Sequence, residues 1–143
     1  MSTKKFFSEK QKQVVQQAIA KAELNTSGEI RVHIEDKCKE EALDRAASVF
    51  HQLKMDATAL RNGVLFFLAV DDHKFAILGD KGINEKVPSD FWNHIKDEML
   101  LNFKEHKFTE GLCKGIEMAG EKLKEYFPLL TSDTNELSND VTF

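Results

Sequence analysis

Seven consecutive apolar residues at positions 64–70 (VLFFLAV) constrain the fold more than any other segment. The run is too short to span a membrane and too uniformly apolar for a strand with one face in water. We therefore expect it to form the central strand of a sheet that is covered on both faces. Turn-forming residues at 71–74 and an apolar segment at 75–78 follow, which predicts an antiparallel hairpin.

Periodic segments on either side of this hairpin predict helices and one more strand. Ser8 and Gln11 form a capping-box pattern ahead of a helix over residues 9–24. Residues 29–35 alternate strictly between polar and apolar, as a strand near the sheet edge does. A second helix over 40–55 then indicates a right-handed crossover that makes 30–34 parallel to 64–70. Ser89 and Thr109 are expected to cap two further helices, and Pro128 ends the last one.

These elements predict an α/β fold, a three-layer α/β/α sandwich with a small mixed central sheet. The chain has 143 residues, of which 41% are hydrophobic, enough to fill one core. We expect a single domain over residues 1–128. Residues 129–143 have no apolar periodicity, and we interpret them as a flexible C-terminal tail.

The formal net charge of −4 and the absence of any Lys/Arg run argue against a nucleic-acid or anionic-membrane surface. The N-terminus shows no basic segment followed by an apolar stretch, and we see no transmembrane segment. We expect a monomeric cytoplasmic protein with an unidentified protein partner. Cys38 and Cys113 lie far apart, so free thiols are expected rather than a disulfide or a metal knuckle.

The predicted topology brings two polar loops, 56–62 and 79–90, to the same end of the sheet. The two glycines and the proline between residues 79 and 88 indicate an irregular loop there. Carboxylates and amide oxygens held close together repel one another, and a hard divalent cation relieves this repulsion. We therefore predict a metal site, with calcium favoured over magnesium, whose candidate ligands are Asp56, Asn62, Asp80, Asn84, Glu85 and Asp90.

Two alternatives stay open for these loops. Asp and Asn are favoured in turns whatever they bind, so the same residues are also expected in loops that hold no metal. Arg61 either binds an anion or forms a salt bridge with a loop carboxylate, and we favour the salt bridge. A second acidic set is expected at the opposite end of the sheet: Glu35, Asp36, Asp71 and Asp72.

The segment Arg61-Asn62-Gly63-Val64-Leu65, the Asp71-Asp72 turn and residues 79–88 (GDKGINEKVP) resemble the TPM domain family. The likeness runs from about residue 7 to residue 127. It implies an α/β/α sandwich, and because some plant members are described as acid phosphatases it also implies phosphomonoester hydrolysis. Many bacterial members have no known function. Family loops often read Gly-aromatic-Gly-Leu-Glu, so Asp80 and Asn84 depart from that pattern while keeping oxygen ligands.

Three functions follow from these observations. The first is a divalent-metal-binding TPM-like domain in which the cation orders two adjacent loops and regulates partner binding. The second is a phosphomonoester hydrolase in which a cation or Arg61 holds the phosphate. The third is a protein-interaction module that needs no metal.

Overall fold

The computed structural model describes residues 8–129 and 141–143. Its elements, in chain order, are α1 (Glu9–Ala22), β1 (Glu29–Glu35), α2 (Ala42–Gln52), β2 (Gly63–Ala69), β3 (Lys74–Gly79), α3 (Lys81–Lys86), α4 (Asn93–Lys104) and α5 (Phe108–Tyr126). The strand order in the sheet is β1-β2-β3. The apolar run thus forms the central strand, and all seven residues of β2 are buried.

The sheet is mixed, as predicted. β1 runs parallel to β2, with Ile30 opposite Val64, and β3 runs antiparallel to β2, with Gly79 opposite Val64. The starts of β1 and β2 and the end of β3 therefore lie at one end of the sheet. This arrangement brings together the loops that precede β2 and follow β3.

Helices cover both faces of the sheet, which confirms the predicted α/β fold. On one face α1, α4 and α5 enclose a core that contains Ile19, Phe66 and Leu112. On the other face α2 packs on Leu65 and Phe67. Alternate residues of β2 thus enter different cores, which is why the whole strand is apolar.

The α1–α5 contact depends on a small residue. A Cβ atom added at Gly120 would lie 2.8 Å from the Cβ of Ala22 and 3.0 Å from its Cα. The two helices therefore approach to a distance that leaves no room for a larger side chain at this crossing. At the other end of α1, both hydrogen bonds of the predicted Ser8–Gln11 capping box are present.

The expectation of an irregular loop over residues 79–88 is wrong, because α3 occupies residues 81–86. Asp80 is its N-cap and accepts a hydrogen bond from Lys81 N at 2.7 Å. Asn84 Nδ2 donates to Gly79 O at 3.1 Å, and Ile83 is fully buried. Capping and burial of one side chain outweigh the low helix propensity of glycine and asparagine.

Two predicted caps also differ from the structure. Ser89 caps no helix, because residues 88–92 form turns and α4 begins at Asn93. Thr109 lies inside α5, whose N-cap is Lys107 without a side-chain cap hydrogen bond. Both helices begin where apolar residues reach the core, and Phe91 and Phe108 are buried at these points.

The interpretation of residues 129–143 as a tail without core contacts is wrong for its last three residues. Val141 is only 2% exposed, and Thr142 forms a parallel bridge with His33 of β1. Leu129 is exposed, and residues 130–140 lie outside the described part of the chain. The boundary of the domain at residue 128 stays a prediction.

Among residues 8–129 and 141–143, no helix is both long enough and apolar enough to cross a lipid bilayer.

Candidate functional site

The two polar loops meet, as the topology predicted. We call their meeting point the loop junction, defined by residues 56–63 and 79–85. Asp80 N donates to Gly63 O at 2.9 Å, and Gly82 N donates to Arg61 O at 2.8 Å. Because β2 and β3 are antiparallel neighbours, the hairpin itself carries these loops to the same place.

Gly82 is required by this close approach. A Cβ atom added there would collide with Leu60 O and lie 2.6 Å from Arg61 O. Arg61 itself has a left-handed backbone, with a φ of 50°, which is uncommon for a residue with a side chain. The junction thus combines strained backbone with backbone-to-backbone contact.

A bidentate ion pair closes the junction, so the salt bridge favoured for Arg61 is confirmed. Arg61 Nε lies 2.8 Å from Asp80 Oδ2, and Arg61 Nη2 lies 3.0 Å from Asp80 Oδ1. The Asp80 side chain is 6% exposed, whereas the Arg61 side chain is 46% exposed. Hydrogen bonding to Asp80 raises the pKa of Arg61, and the negative charge of Asp56 raises it further. Two carboxylates therefore act on one guanidinium.

The two asparagine candidates are engaged in holding the backbone. Asn62 is 2% exposed, and its Nδ2 donates to Ser27 O at 3.1 Å. The backbone carbonyl of Asn62 accepts a hydrogen bond from Glu29 N at 3.1 Å, which connects the junction to the start of β1. Asn84 Nδ2 donates to Gly79 O. Both of these bonds are made through the amide nitrogen of the side chain.

Of the remaining three candidates, Asp56 is half-buried, and Glu85 and Asp90 are exposed. Glu85 lies 3.9 Å from Lys81 in an ion pair between two exposed side chains. Asp56 Oδ2 lies 4.0 Å from His51 Nδ1. Asp90 is exposed and lines a separate cleft of about 500 Å³, beside α4 and the C-terminal end of α5.

No preformed metal cage is present in the part of the chain that the structure describes. Within it, no three His, Cys, Asp or Glu side chains come together as a metal site requires. Both oxygens of Asp80 already accept hydrogen bonds, from Arg61 and from Lys81 N.

The second acidic set also comes together, at the carboxyl ends of β1 and β2. Asp71 N donates to Asp36 O at 2.8 Å, and Cys38 N donates to Asp72 Oδ2 at 2.6 Å. Nearby, Arg45 pairs with Glu35 through two contacts, and the hydrogen bond from Arg45 lowers the pKa of Glu35. A cleft of about 660 Å³ lies beside this cluster, lined in part by Arg45 and Phe143.

His33 beside this cleft was not among the sequence candidates. It is 7% exposed, its Nδ1 lies 2.7 Å from Thr142 Oγ1, and its Nε2 lies 3.2 Å from Glu35 Oε2. Burial lowers its pKa, and Glu35 opposes that effect. A histidine on the polar face of an alternating strand was the only signal in the sequence, and it does not identify a partner 109 residues away.

Comparison with known proteins assigns the family. Residues 1–122 match the family model of the TPM domain. The chain belongs to the TPM domain family. The family and fold that the resemblance implied are therefore both confirmed. No curated protein matches this TPM domain.

Solved structures support the same assignment. The NMR structure of the BA42 protein from the psychrophilic bacterium Bizionia argentinensis is 47% identical, covers 96% of this chain and 94% of its own, and has a TM-score of 0.90. The N-terminal domain of a P. gingivalis protein is 19% identical, with a TM-score of 0.68 over 84% of this chain and 78% of its own. An N-terminal domain from Corynebacterium glutamicum is 10% identical, with a TM-score of 0.63 over 95% and 80%. The last two show the fold alone.

Proposed function

We propose that this TPM domain binds a divalent cation, calcium in preference to magnesium, at the loop junction. The cation orders the two loops and so alters the surface offered to a protein partner. One observation carries the proposal: the buried Asp80 carboxylate is neutralised by a guanidinium that is 46% exposed. An exposed counter-ion on a flexible side chain is replaceable by a small cation that reaches the same carboxylate.

The ligand set follows from the contacts at the junction. Asp80 provides the first ligand once Arg61 has moved, and Asp56 already acts on the same guanidinium. Asn62 and Asn84 bond to backbone carbonyls through Nδ2, so their amide oxygens are the next candidate ligands, and the exposed Glu85 adds a carboxylate. Asp90 lines a separate cleft and is the outlying candidate. Calcium accepts such mixed oxygen ligands in irregular geometry, whereas magnesium requires a near-octahedral set.

The affinity should be weak, because the site must be assembled as the cation binds. Displacing Arg61 breaks a bidentate ion pair, and this cost is subtracted from the binding free energy. We expect a dissociation constant of about 10⁻⁴–10⁻³ M, the weak end of the range for calcium sites in proteins.

Calorimetry of chelator-treated protein tests the proposal. The wild type should release or absorb heat with calcium at millimolar levels, and Asp80→Asn should not, because an amide cannot replace the carboxylate charge. The matched control is Asp71→Asn, the same change at an exposed residue at the opposite end of the sheet. No heat in the wild type, or equal heat in Asp80→Asn, would remove the metal site.

Removal of the competing cation gives a second test. Arg61→Met leaves Asp80 without its counter-ion, so this variant should have a lower Tm and recover more of it with calcium than the wild type does. Lys81→Met removes a positive charge from the same loop, on a side chain that is 71% exposed, and is the control. An equal calcium response in both variants would indicate a general charge effect instead.

Phosphomonoester hydrolysis is the second candidate. When a cation takes over Asp80, the released Arg61 guanidinium lies beside it, and the two together form a phosphate-binding pair. Hydrolysis of a chromogenic phosphate ester should then require both the cation and Arg61. No turnover from acidic to neutral pH with either metal would eliminate this activity. A metal-independent interaction module, the monomeric state and the cytoplasmic location stay predictions.

A further inference from the structure

Two histidines that lie far apart in the sequence meet at the end of the sheet opposite the loop junction. His73 belongs to the turn between β2 and β3, and His106 belongs to the turn between α4 and α5. Their ring centres are 6.2 Å apart, and both residues are exposed. Both imidazoles are therefore within reach of an ion from solvent.

Both histidines occupy turn positions at which glycine or asparagine is the usual residue. The φ angle is 53° at His73 and 59° at His106, in the left-handed region that few residues with a side chain adopt. The α4–α5 turn is a Schellman motif, in which His106 N donates to Phe103 O at 3.0 Å and Lys107 N donates to Asn102 O at 2.9 Å. Backbone geometry alone favours glycine at both positions, so it does not account for two adjacent imidazoles.

Packed aromatic rings fix the distance between the two turns. Phe75 in β3 contacts Phe103 edge-on, with the ring centres 5.2 Å apart. Phe103 stacks on Phe108 at 5.6 Å, and the His106 ring lies 6.1 Å from Phe108. This packing holds the two histidine backbones side by side before any ion binds, which lowers the cost of assembling a site.

The spacing of the two rings suits a shared metal ion. Two imidazoles on one zinc, each with a Zn–N distance of about 2.0–2.1 Å, have their ring centres roughly 5–6.5 Å apart at tetrahedral to linear angles. The observed 6.2 Å lies within this range, and rotation of the exposed rings brings one nitrogen of each to the ion. The neighbouring lysines are engaged elsewhere, because Lys74 Nζ donates to Cys38 O at 2.9 Å and Lys107 Nζ lies 3.2 Å from Glu105 Oε2.

We propose that His73 and His106 bind one divalent transition-metal ion between them, of the class that prefers imidazole nitrogen, such as zinc or copper. The two side chains make a partial site, since no third His, Cys, Asp or Glu joins them in residues 8–129 and 141–143. Water completes the coordination. The ion links the β2–β3 turn to the α4–α5 turn and so holds α4 against the hairpin. This site shares no residue with the loop junction, and calcium, which takes oxygen ligands, does not fit it.

A zinc titration of the chelator-treated full chain tests the proposal. In the wild type the NMR ring signals of His73 and His106 should shift at the same zinc concentration. By calorimetry, His73→Asn and His106→Asn should each bind zinc more weakly by about 10-fold or more, because the second imidazole of a chelating pair acts at a high effective concentration. Asparagine tolerates the left-handed backbone, so both variants should fold.

Three comparisons show whether the effect belongs to this pair and to this class of ion. His51→Asn makes the same change at a histidine whose side chain is 83% exposed, and it should leave zinc affinity at the wild-type level. An equal loss of affinity in His51→Asn would overturn the assignment. Calcium should leave both ring signals unchanged, which separates this site from the loop junction. Copper should bind more tightly than zinc, as the Irving–Williams order requires.

A double-mutant cycle shows whether the two histidines act as one site. Once His73 has been replaced, replacing His106 should lower zinc affinity much less than it does in the wild type. Equal losses in the two backgrounds, or ring signals that shift at different zinc concentrations, would mean that each histidine binds zinc by itself and would overturn the proposal. Unchanged zinc affinity in both single variants would overturn it as well.

Discussion

Glu23 should make the stability of this TPM domain fall as the pH rises. Burial raises the pKa of its carboxyl from 4.5 to about 7, with Glu29 adding to the effect and a hydrogen bond from Ile30 N opposing it. Between these two pH values the folded state holds the proton more tightly than the unfolded state does. The stabilisation that the protonated Glu23 carboxyl provides is therefore fully present below about pH 4.5, and it is lost as the pH rises to about 7.

The magnitude follows from the same interval. A carboxyl whose pKa changes by this amount on folding alters the free energy of unfolding by at most about 3 kcal/mol. Solvent around a side chain that is only partly buried reduces the expected value to about 1–2 kcal/mol. Glu23→Gln keeps an oxygen to accept the bond from Ile30 N, which is 2.9 Å long in the wild type, but cannot ionise.

Urea denaturation across this pH range measures the effect. Near pH 4 the variant and the wild type should unfold with similar free energies, and near pH 8 the variant should be more stable by about 1–2 kcal/mol. Glu121→Gln, the same change at an exposed residue, is the control. Its unfolding free energy should differ from that of the wild type by the same amount at every pH. A Glu23→Gln variant whose difference from the wild type does not change with pH would refute the argument.

Two further substitutions test the packing, each by chemical denaturation. Gly82→Ala should destabilise the protein by about 1–3 kcal/mol because the new Cβ meets Leu60 O and Arg61 O. Helix propensity alone predicts that alanine stabilises the protein. A stabilised variant would therefore contradict the described junction. Phe66→Ala removes a fully buried ring and should lower the free energy of unfolding by about 3–5 kcal/mol. Leu101→Ala, at a residue that is 60% exposed, should lower it by under about 0.5 kcal/mol. Comparable losses of stability in the two variants would contradict the placement of the core.

The sheet was predictable because its central strand is apolar on both faces. The run at residues 64–70 leaves no polar face, and the alternation in 29–35 identifies a neighbouring strand by its periodicity. Local signals of this kind act within a few residues. The Ser8–Gln11 capping box is another example, and it is present as predicted.

Two features of the fold depend on contacts between distant residues, and the sequence pattern missed both. α3 forms because Asp80 caps it and Ile83 is buried, although Gly82 and Asn84 disfavour a helix. Val141 is a single buried residue in a segment without periodicity, and it joins a core formed by other elements, while the neighbouring Thr142 pairs with His33 of β1. No local pattern marks such a residue.

The candidate site was predictable at the level of loops. Strand order alone predicted that the loops 56–62 and 79–90 meet, and an ion pair between Arg61 and a loop carboxylate was the favoured alternative. The structure identifies that carboxylate as Asp80. The sequence did not predict which polar side-chain atoms of these loops form hydrogen bonds to the backbone. Asn62 and Asn84 donate to backbone carbonyls, and such bonds depend on exact main-chain positions.

The most direct measurement is the NMR signal of the Arg61 Nε–H group during a calcium titration of chelator-treated protein. This group donates to Asp80 at 2.8 Å without the cation. If calcium displaces the guanidinium, the signal should move toward the position of a solvent-exposed arginine as the backbone amides of residues 79–85 shift, at the same calcium concentration. An Arg61 signal that stays unchanged at millimolar calcium would contradict cation binding at the loop junction.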